Sequence, residues 1–480
     1  MNIERRHIML CFWIFPFLFL VDNILGFNGY QLTIRGISIR ILLFCLSVIS
    51  LCSLCLYIAI QRKLSLKLRG EKGNRIWDYI KPIDYIVAGF ILWNVIWATI
   101  VPLLIRNEMT FALKDVSTIL VLVLYFPCVF LIRTGYFQEK KFEKIAYILL
   151  VLLALWHVIM FVGETIAPGF YAGYYDFIDI ISFGTAVRSS VVYGYGVVRI
   201  IQTTSLFLIP AMFMTIRFVN SKKWIGYLSG LLVVFSILIT YTKSIWLGCL
   251  AGLLYVFVGA LFFTKKQAAI KKRIIICVVM FLSSVFIFNY MCLDNTIFSR
   301  MFNSFSSDTA LEQRQQELLE RIKELESSEG VDEEIERINN ELKDAAGTAE
   351  ANNLRSQQKN ALLSKWSESK LFGYGYGAYS EECIRNEVYP YMYEYAFPAL
   401  LMIIGIVGLL GWIVFILALL IYAFRRAWKV NRISFILWVG CALAYAMAVQ
   451  TNPFLFTFTG ISILLYLCIK AEWSGIVEEV

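Results

Sequence analysis

Residues 389–412 read YPYMYEYAFPALLMIIGIVGLLGW, a tyrosine-rich stretch that becomes a long apolar run at Ala396. The run continues without a charged side chain as far as Phe424, and Arg425 and Arg426 follow it directly. It is longer than the roughly 20 residues that a helix needs to cross the hydrocarbon core of a bilayer. The stretch therefore predicts a membrane-spanning helix with an aromatic border on one side and a basic border on the other.

Similar apolar runs recur along almost the whole chain of 480 residues, of which 59% are hydrophobic and only 16% are charged. A soluble chain of this length could not bury so much apolar surface. We therefore predict an all-α polytopic membrane protein with about 12 transmembrane helices. The predicted spans begin near Ile8, Ile37, Ile83, Asp115, Ile145, Ile200, Trp224, Ser244, Ile274, Tyr395, Ser434 and Phe454.

Lysine and arginine gather in alternate connections between these runs. Cytoplasmic loops of membrane proteins carry an excess of both residues, so the pattern predicts orientation. The basic segments all fall on one side if both termini are cytoplasmic. They contain Arg5 and Arg6; Arg62, Lys63, Lys67, Arg69, Lys72 and Arg75; Lys140, Lys141 and Lys144; Lys222 and Lys223; Lys265, Lys266, Lys271, Lys272 and Arg273; and Arg425, Arg426, Lys429 and Arg432.

This topology divides the chain into four parts. Residues 1–199 contain helices one to five and a first long external loop, and residues 200–292 contain helices six to nine. Residues 293–394 form a large external loop, and residues 395–480 contain helices ten to twelve. The large loop is the part most suited to a function at the external face.

The first half of the large loop is rich in Glu, Gln, Arg and Leu at helical spacing. Thr309 and Glu312 form a capping box at its start. A break near residues 327–330 predicts two antiparallel helices, so we expect an inserted helical hairpin over residues 309–347. Such a hairpin is either a solvated appendage or an arm that docks a partner helix.

Several cations lie on the external side, where the excess of basic residues in cytoplasmic loops does not explain them, and four of these suggest a site. They are Arg188, Arg199, Lys243 and Arg355, each near aromatic residues or glycines. Each one alone could simply reach its charge out to water. Together they suit one anionic ligand, and a diphosphate at the lipid surface fits because arginine and lysine both bind phosphate oxygens.

One acidic residue, Glu394, precedes the tenth span directly. A partly buried glutamate at this border suits a general base. The alternative is an interfacial glutamate that is hydrogen-bonded to tyrosine hydroxyls. Further along the large loop, Gly373, Gly375 and Gly377 alternate with tyrosines, and such glycines allow a tight turn or a close approach to a ligand.

The sequence also excludes several classes of function. Nearly all cysteines lie in apolar runs, so no disulfide framework is expected. No cluster of Cys, His, Asp or Glu has metal-binding spacing, and no nucleotide-binding loop is present, so we expect neither metal nor cofactor. The net charge of +9 follows from the basic cytoplasmic loops and requires no nucleic-acid partner.

Three segments of the chain together resemble the O-antigen ligase and polysaccharide polymerase family of integral membrane glycosyltransferases. The segment TYTKSIWLG, residues 240–248, is similar to a family turn that usually carries arginine where Lys243 stands. The large-loop signature of an arginine, a tryptophan-containing helix and three alternating glycines matches Arg355, Trp366, Gly373, Gly375 and Gly377. The tenth span, with Gly405 and Gly408, matches a third pattern.

Two further positions of the chain bear on this resemblance. Arg199 looks like the arginine that the family places before the span after its other external loop. Glu394 and Tyr395 stand where the ligase branch often has histidine followed by asparagine, and this departure favours the polymerase branch.

The resemblance implies a polymerase that joins repeat units of an O-antigen, capsule or exopolysaccharide at the external face of the bacterial plasma membrane. Its substrates would be glycans linked to polyprenyl diphosphate. Glu394, Arg355 and Arg199 would be catalytic, while Arg188, Arg199, Lys243 and Arg355 would bind the diphosphate. A chain-length regulator or another polysaccharide-assembly protein would be a possible partner. The alternatives are a ligase that passes glycan to a final acceptor, or a non-enzymatic lipid-linked glycan flippase.

Overall fold

A computed structural model describes most of the chain. The described residues are 3–25, 33–34, 37–69, 79–105, 108–137, 139–170, 172–174, 176, 192–194, 197–200, 202–219, 224–263, 268–292, 308–325, 332–384, 390–391, 393–430, 432–450 and 455–473. All structural statements below concern these residues.

The described residues are mainly helical, with two short antiparallel β-ribbons between helices. The elements are α1 (Ile3–Leu25), β1 (Thr33–Ile34), β2 (Ile37–Ser38), α2 (Ile39–Arg69), α3 (Pro82–Ile105), α4 (Met109–Ile119), α5 (Tyr125–Arg133), α6 (Glu139–Ile166), β3 (Val192–Gly194), β4 (Val197–Arg199), α7 (Leu208–Phe218), α8 (Trp224–Ile239), α9 (Lys243–Phe263), α10 (Ala268–Cys292), α11 (Asp308–Leu325), α12 (Asp332–Glu368), α13 (Ala396–Val430), α14 (Arg432–Gln450) and α15 (Phe458–Trp473). Single 3-10 turns join α4 to α5, precede α7 and lie at Glu381–Cys383.

Seven helices of the described part are long and apolar enough to cross a membrane. They are Ile39–Gln61, Pro82–Ile105, Met109–Arg133, Lys140–Ile166, Lys243–Phe262, Ala396–Trp428 and Arg432–Gln450, and three shorter apolar helices are Leu10–Leu25, Thr203–Phe218 and Trp224–Ile239. The chain is therefore a helical membrane protein. Each of the predicted apolar runs coincides with a helix, although the count of 12 crossings and the orientation remain predictions.

The fourth predicted run begins earlier than the sequence indicated. We placed its start near Asp115, whereas α4 begins at Met109 and continues through a 3-10 turn into α5. Asp115 consequently lies inside the helix and is only 4% exposed. A carboxylate at such a position requires a local partner, which the candidate site below provides.

One end of the helix bundle carries a layer of buried ion pairs that we call the charged layer. The carboxylate of Glu472, only 2% exposed, accepts hydrogen bonds from Lys81 Nζ at 2.6 Å and Arg133 Nη2 at 3.1 Å, and Arg426 Nη1 lies 3.3 Å away. Arg133 Nη2 also donates to Asp84 Oδ1 at 3.0 Å. These contacts join the start of α3 to the ends of α5, α13 and α15.

A second cluster extends the charged layer through the neighbouring helices. Arg217 Nη1 lies 3.0 Å from Glu143 Oε2, and its Nη2 donates to Ser434 Oγ at 2.8 Å. The ammonium group of Lys470 donates to Glu143, and Arg273 Nη1 donates to the carbonyl oxygen of Arg217 at 3.1 Å. The second cluster thus joins the starts of α6, α10 and α14 to the ends of α7 and α15.

The helical hairpin in the large loop differs from the predicted one at its second helix. We expected both helices to end by Gly347, but α12 has 37 residues and passes through this glycine to Glu368. At 1.5 Å per residue it is about 55 Å long. Ile322 of α11 and Ile338 of α12 are buried, at 8% and 5% exposure, where the two helices pack together. The second helix of the hairpin and the cationic segment that contains Arg355 are therefore one continuous helix.

Candidate functional site

The segment after α12, residues 369–377, enters the helix bundle beside a break in α13. We call it the glycine segment. At Gly405 the backbone of α13 has φ 61° and ψ −170°, which interrupts the helix in the middle of an apolar run. This region of φ and ψ is essentially restricted to glycine. The break leaves carbonyl and amide groups of α13 without their helical partners.

The glycine segment supplies the hydrogen bonds that the break removes from α13. The amide groups of Tyr374 and Gly375 donate to the carbonyl oxygens of Met402 and Ile403, at 2.9 and 2.7 Å. In return, the amide groups of Ile406 and Val407 donate to the carbonyl oxygens of Lys370 and Leu371, both at 3.0 Å. Non-helical backbone at membrane depth requires this kind of internal pairing because lipid offers no hydrogen bonds.

Helices α3 and α4 hold the other side of the glycine segment. Trp97 Nε1 donates to the carbonyl oxygen of Phe372 at 2.8 Å, and the amide group of Gly377 donates to Asp115 Oδ2 at 3.2 Å. Asn94, which is only 1% exposed, accepts a hydrogen bond from the Tyr376 hydroxyl. Asn94 and Asp115 both hydrogen-bond the glycine segment. The sequence could have indicated this role, because both are polar residues inside apolar runs.

The three predicted loop glycines approach protein backbone and a proline ring. All three have positive φ, at 66°, 81° and 77°. A Cβ atom on Gly373 would lie 2.6 Å from the amide nitrogen of Gly405, and one on Gly377 would lie 2.4 Å from the amide nitrogen of Ala112. On Gly375 it would lie 2.7 Å from the ring of Pro102. Their close neighbours in this structure are helices α3, α4 and α13.

Arg355 and Glu394, two of the predicted catalytic residues, form an ion pair at the C-terminal half of α12. The guanidinium Nε donates to Glu394 Oε2 at 2.7 Å. The side chains are 35% and 22% exposed, so a ligand can reach both. The pair joins the large loop to the start of α13, two residues before Ala396.

Gln358 fixes the backbone of Glu394 next to this ion pair. It follows Arg355 by three residues and is only 1% exposed. Its Oε1 accepts a hydrogen bond from the amide group of Glu394 at 2.9 Å. Residues three apart lie on the same face of a helix, so one face of α12 holds both the carboxylate and its backbone. Sequence reasoning missed Gln358, which stands in an ordinary polar helical sequence.

Tyrosines and a lysine pack near the end of α12 and before the start of α13. The Tyr393 hydroxyl accepts a hydrogen bond from the amide group of Ser380 at 2.8 Å, and burial raises the pKa of this phenol. The ammonium group of Lys365 lies 5.2 Å from the ring centroid of Tyr374 and donates to the carbonyl oxygen of Tyr379. These contacts connect the end of α12 and Tyr393 to the segment formed by residues 374–380.

The other predicted cations belong to a second group of elements. The turn between α8 and α9 matches the predicted turn, with Lys243 as the first residue of α9 and Tyr241 at φ 47°. The amide group of Ile200, which follows Arg199 of β4, donates to the carbonyl oxygen of Ile239 at 3.2 Å. The backbone of β4 therefore lies beside this turn. The side chain of Arg199 and all of Arg188 lie outside the described residues.

Comparison of the chain with protein-family models, with curated proteins and with solved structures finds no match. The fold and the apolar helices define the class, a helical membrane protein, and further assignment depends on the site itself.

The site combines a carboxylate that can accept a proton with a guanidinium that can bind an anion, both reachable from solvent. Within the described residues, no group of three His, Cys, Asp or Glu side chains is placed to hold one metal ion. The arrangement suits proton transfer from a hydroxyl beside a bound anionic group.

Proposed function

We propose that the chain is a polysaccharide polymerase that joins repeat units carried on polyprenyl diphosphate at the external face of a bacterial plasma membrane. The ion pair between Arg355 and Glu394 carries the proposal, because it places the proposed anion-binding group and the proposed base 2.7 Å apart. The resemblance of three sequence segments to this family of glycosyltransferases supplies the reaction class.

The reaction follows from the roles of these two side chains. A sugar hydroxyl of the acceptor attacks the anomeric carbon of the donor, and a new C–O bond forms while the bond to the diphosphate oxygen breaks. Glu394 accepts the proton of the attacking hydroxyl. Arg355 stabilises the negative charge that develops on the leaving polyprenyl diphosphate. By the resemblance alone, Lys243, Arg199 and Arg188 would add positive charge on the donor side.

The ion pair between Arg355 and Glu394 implies that Arg355 exchanges partners when the donor binds. Arginine binds diphosphate oxygens with its planar fork, so a bound donor competes with Glu394 for Arg355. When the donor takes the guanidinium, the carboxylate is released towards the acceptor hydroxyl. Donor binding would thereby prepare the base, and an empty site would keep it paired.

The charged layer supports the proposed orientation. Lys81, Arg133, Arg217, Arg426 and Lys470 lie at helix ends that the basic loops assign to the cytoplasm. The site lies at the start of α13, and the charged layer includes the end of the same helix. If the charged layer is cytoplasmic, the site at the other end of α13 lies on the external side.

The proposal is tested in cells whose surface polysaccharide depends on this chain. Arg355→Met and Glu394→Gln should each abolish surface polymer while leaving lipid-linked single repeat units to accumulate. Lys359→Met is the matched control, because Lys359 is an exposed cation one turn beyond Arg355 on the same helix. Normal polymer from both site variants would overturn the proposal. Accumulation of the repeat units on the cytoplasmic side alone would instead indicate a flippase.

A further inference from the structure

Gln358 holds a buried amide donor that no described residue of the chain uses. The orientation of its carboxamide is set by chemistry, because a backbone N–H can only donate and the atom facing the amide group of Glu394 must be Oε1. The Nε2 atom is buried and has no hydrogen-bond partner in the described part of the chain. Buried amide donors are rarely left in this state, so each instance requires an explanation.

The surroundings of this donor suggest the missing partner. Arg355 lies one turn earlier on α12 and uses Nε for Glu394, while its two Nη groups make no hydrogen bond among the described residues. Side chains three residues apart on a helix lie about 5–6 Å apart at Cβ. Within the described residues, Gln358 and Arg355 thus hold donors without a hydrogen-bond partner one turn apart on α12, and both side chains contact Glu394.

We propose that Gln358 is a ligand-binding residue whose Nε2 donates to a non-bridging oxygen of a diphosphate held by Arg355. Its Oε1 keeps the backbone of Glu394 in place at the same time. One side chain thereby couples the anion to the base, and the ligand class is an organic diphosphate rather than a neutral sugar. The inference rests on the proposed function, since it assigns a further residue to the same site.

The test measures binding to the purified full-length protein in nanodiscs by calorimetry. The probe is farnesyl diphosphate, with farnesol as the uncharged comparison. Gln358→Met keeps the volume and removes both hydrogen bonds, while Gln358→Glu keeps an acceptor for the amide group of Glu394 and removes the donor. Gln357→Met is the matched control, because Gln357 is exposed and bonds only to Asn353 of its own helix.

We expect the wild-type protein to bind farnesyl diphosphate and not farnesol. Gln358→Met should weaken diphosphate binding about tenfold, which is one hydrogen bond to a charged group. Gln358→Glu should weaken it further, because a carboxylate repels the anion, and Gln357→Met should bind as the wild type does. If Gln358→Met fails to fold, Gln358→Leu replaces it, because leucine also lacks the donor and adds no charge.

The outcomes separate the two proposals. Equal binding by the wild type and by both folded Gln358 variants would overturn the role of Gln358 and leave the polymerase proposal standing. A wild-type protein that does not distinguish farnesyl diphosphate from farnesol would overturn both proposals. Neither Arg355 nor Gln358 would then have an anionic ligand.

Discussion

Arg355 Nε lies 2.7 Å from Glu394 Oε2, although 39 positions of the chain separate the two residues. Helix α12 brings the arginine to the bundle, and the start of α13 brings the glutamate. The contact joins a group suited to binding an anion to a group suited to accepting a proton, and the account of function depends on it.

The exchange step predicts that removing the carboxylate strengthens anion binding while it abolishes transfer. Glu394→Gln takes away the resident competitor for Arg355, and a partly exposed ion pair is worth up to about 1 kcal/mol, so affinity for farnesyl diphosphate should rise by up to about fivefold. Arg355→Met should lower the same affinity. Calorimetry with Lys359→Met as a charge-matched control measures both. Weaker binding by Glu394→Gln would contradict the exchange.

The glycine segment should tolerate no side chain. Gly377→Ala combines positive φ with a Cβ atom 2.4 Å from the backbone of Ala112, so we expect a loss of about 2–5 kcal/mol in stability. Gly405→Ala should behave similarly, because Leu371 O would lie 2.4 Å from its Cβ. Gly89→Ala in α3 is the control, since its Cβ would meet nothing within 4 Å. Thermal unfolding in detergent measures the three variants, and equal Tm values would show that the segment is not packed as described.

Topology is tested by labelling intact cells with a membrane-impermeant maleimide. Glu381→Cys adds an exposed thiol to the 3-10 turn after the glycine segment and should react without permeabilisation. Arg425→Cys, at an exposed position near the end of α13, should react only after permeabilisation. The unsubstituted chain gives the background, to which Cys383 should contribute little because burial raises the pKa of its thiol. The reverse labelling pattern would show that the site faces the cytoplasm and would contradict the proposed orientation.

The hairpin should affect product length rather than bond formation. Deleting residues 309–347 removes α11 and the first part of α12 but keeps the turns of α12 that carry Arg355 and Gln358. If the hairpin is a docking arm for a chain-length regulator, surface polymer should persist with an altered length distribution on gels. Glu320→Gln on the exposed face of α11 is the control. An unchanged distribution after the deletion would exclude the docking role.

The helical class could be predicted from sequence because apolar run length and basic loops report directly on membrane crossing. The break at Gly405 could not, since the run around it stays apolar on both sides. The bonds that repair the break join backbone atoms of residues 370–375 to backbone atoms of α13, and backbone bonding has no side-chain signature. The glycine segment follows a polar helical sequence and was therefore expected in the external loop and not in the bundle.

Only part of the candidate site could be predicted from the sequence, because its contacts join distant helices. Arg355 and Glu394 stood out as charges beside apolar or glycine-rich stretches, but their direct contact depends on how α12 meets α13. Gln358 gave no signal, because a buried glutamine and its exposed neighbour Gln357 look identical in sequence. Arg199 and Lys243 belong to segments that the fold places together through Ile200 and Ile239.

The central claim is tested most directly by giving the purified protein lipid-linked repeat units with no other acceptor and separating the products by size. The account predicts a ladder of polymers from the wild-type chain and from Lys359→Met. It predicts a rate about 10²–10⁴-fold lower from Glu394→Gln, as expected when a general base is lost. A wild-type chain that leaves the repeat units unjoined, or a Glu394→Gln ladder as fast as that of the wild type, would contradict it.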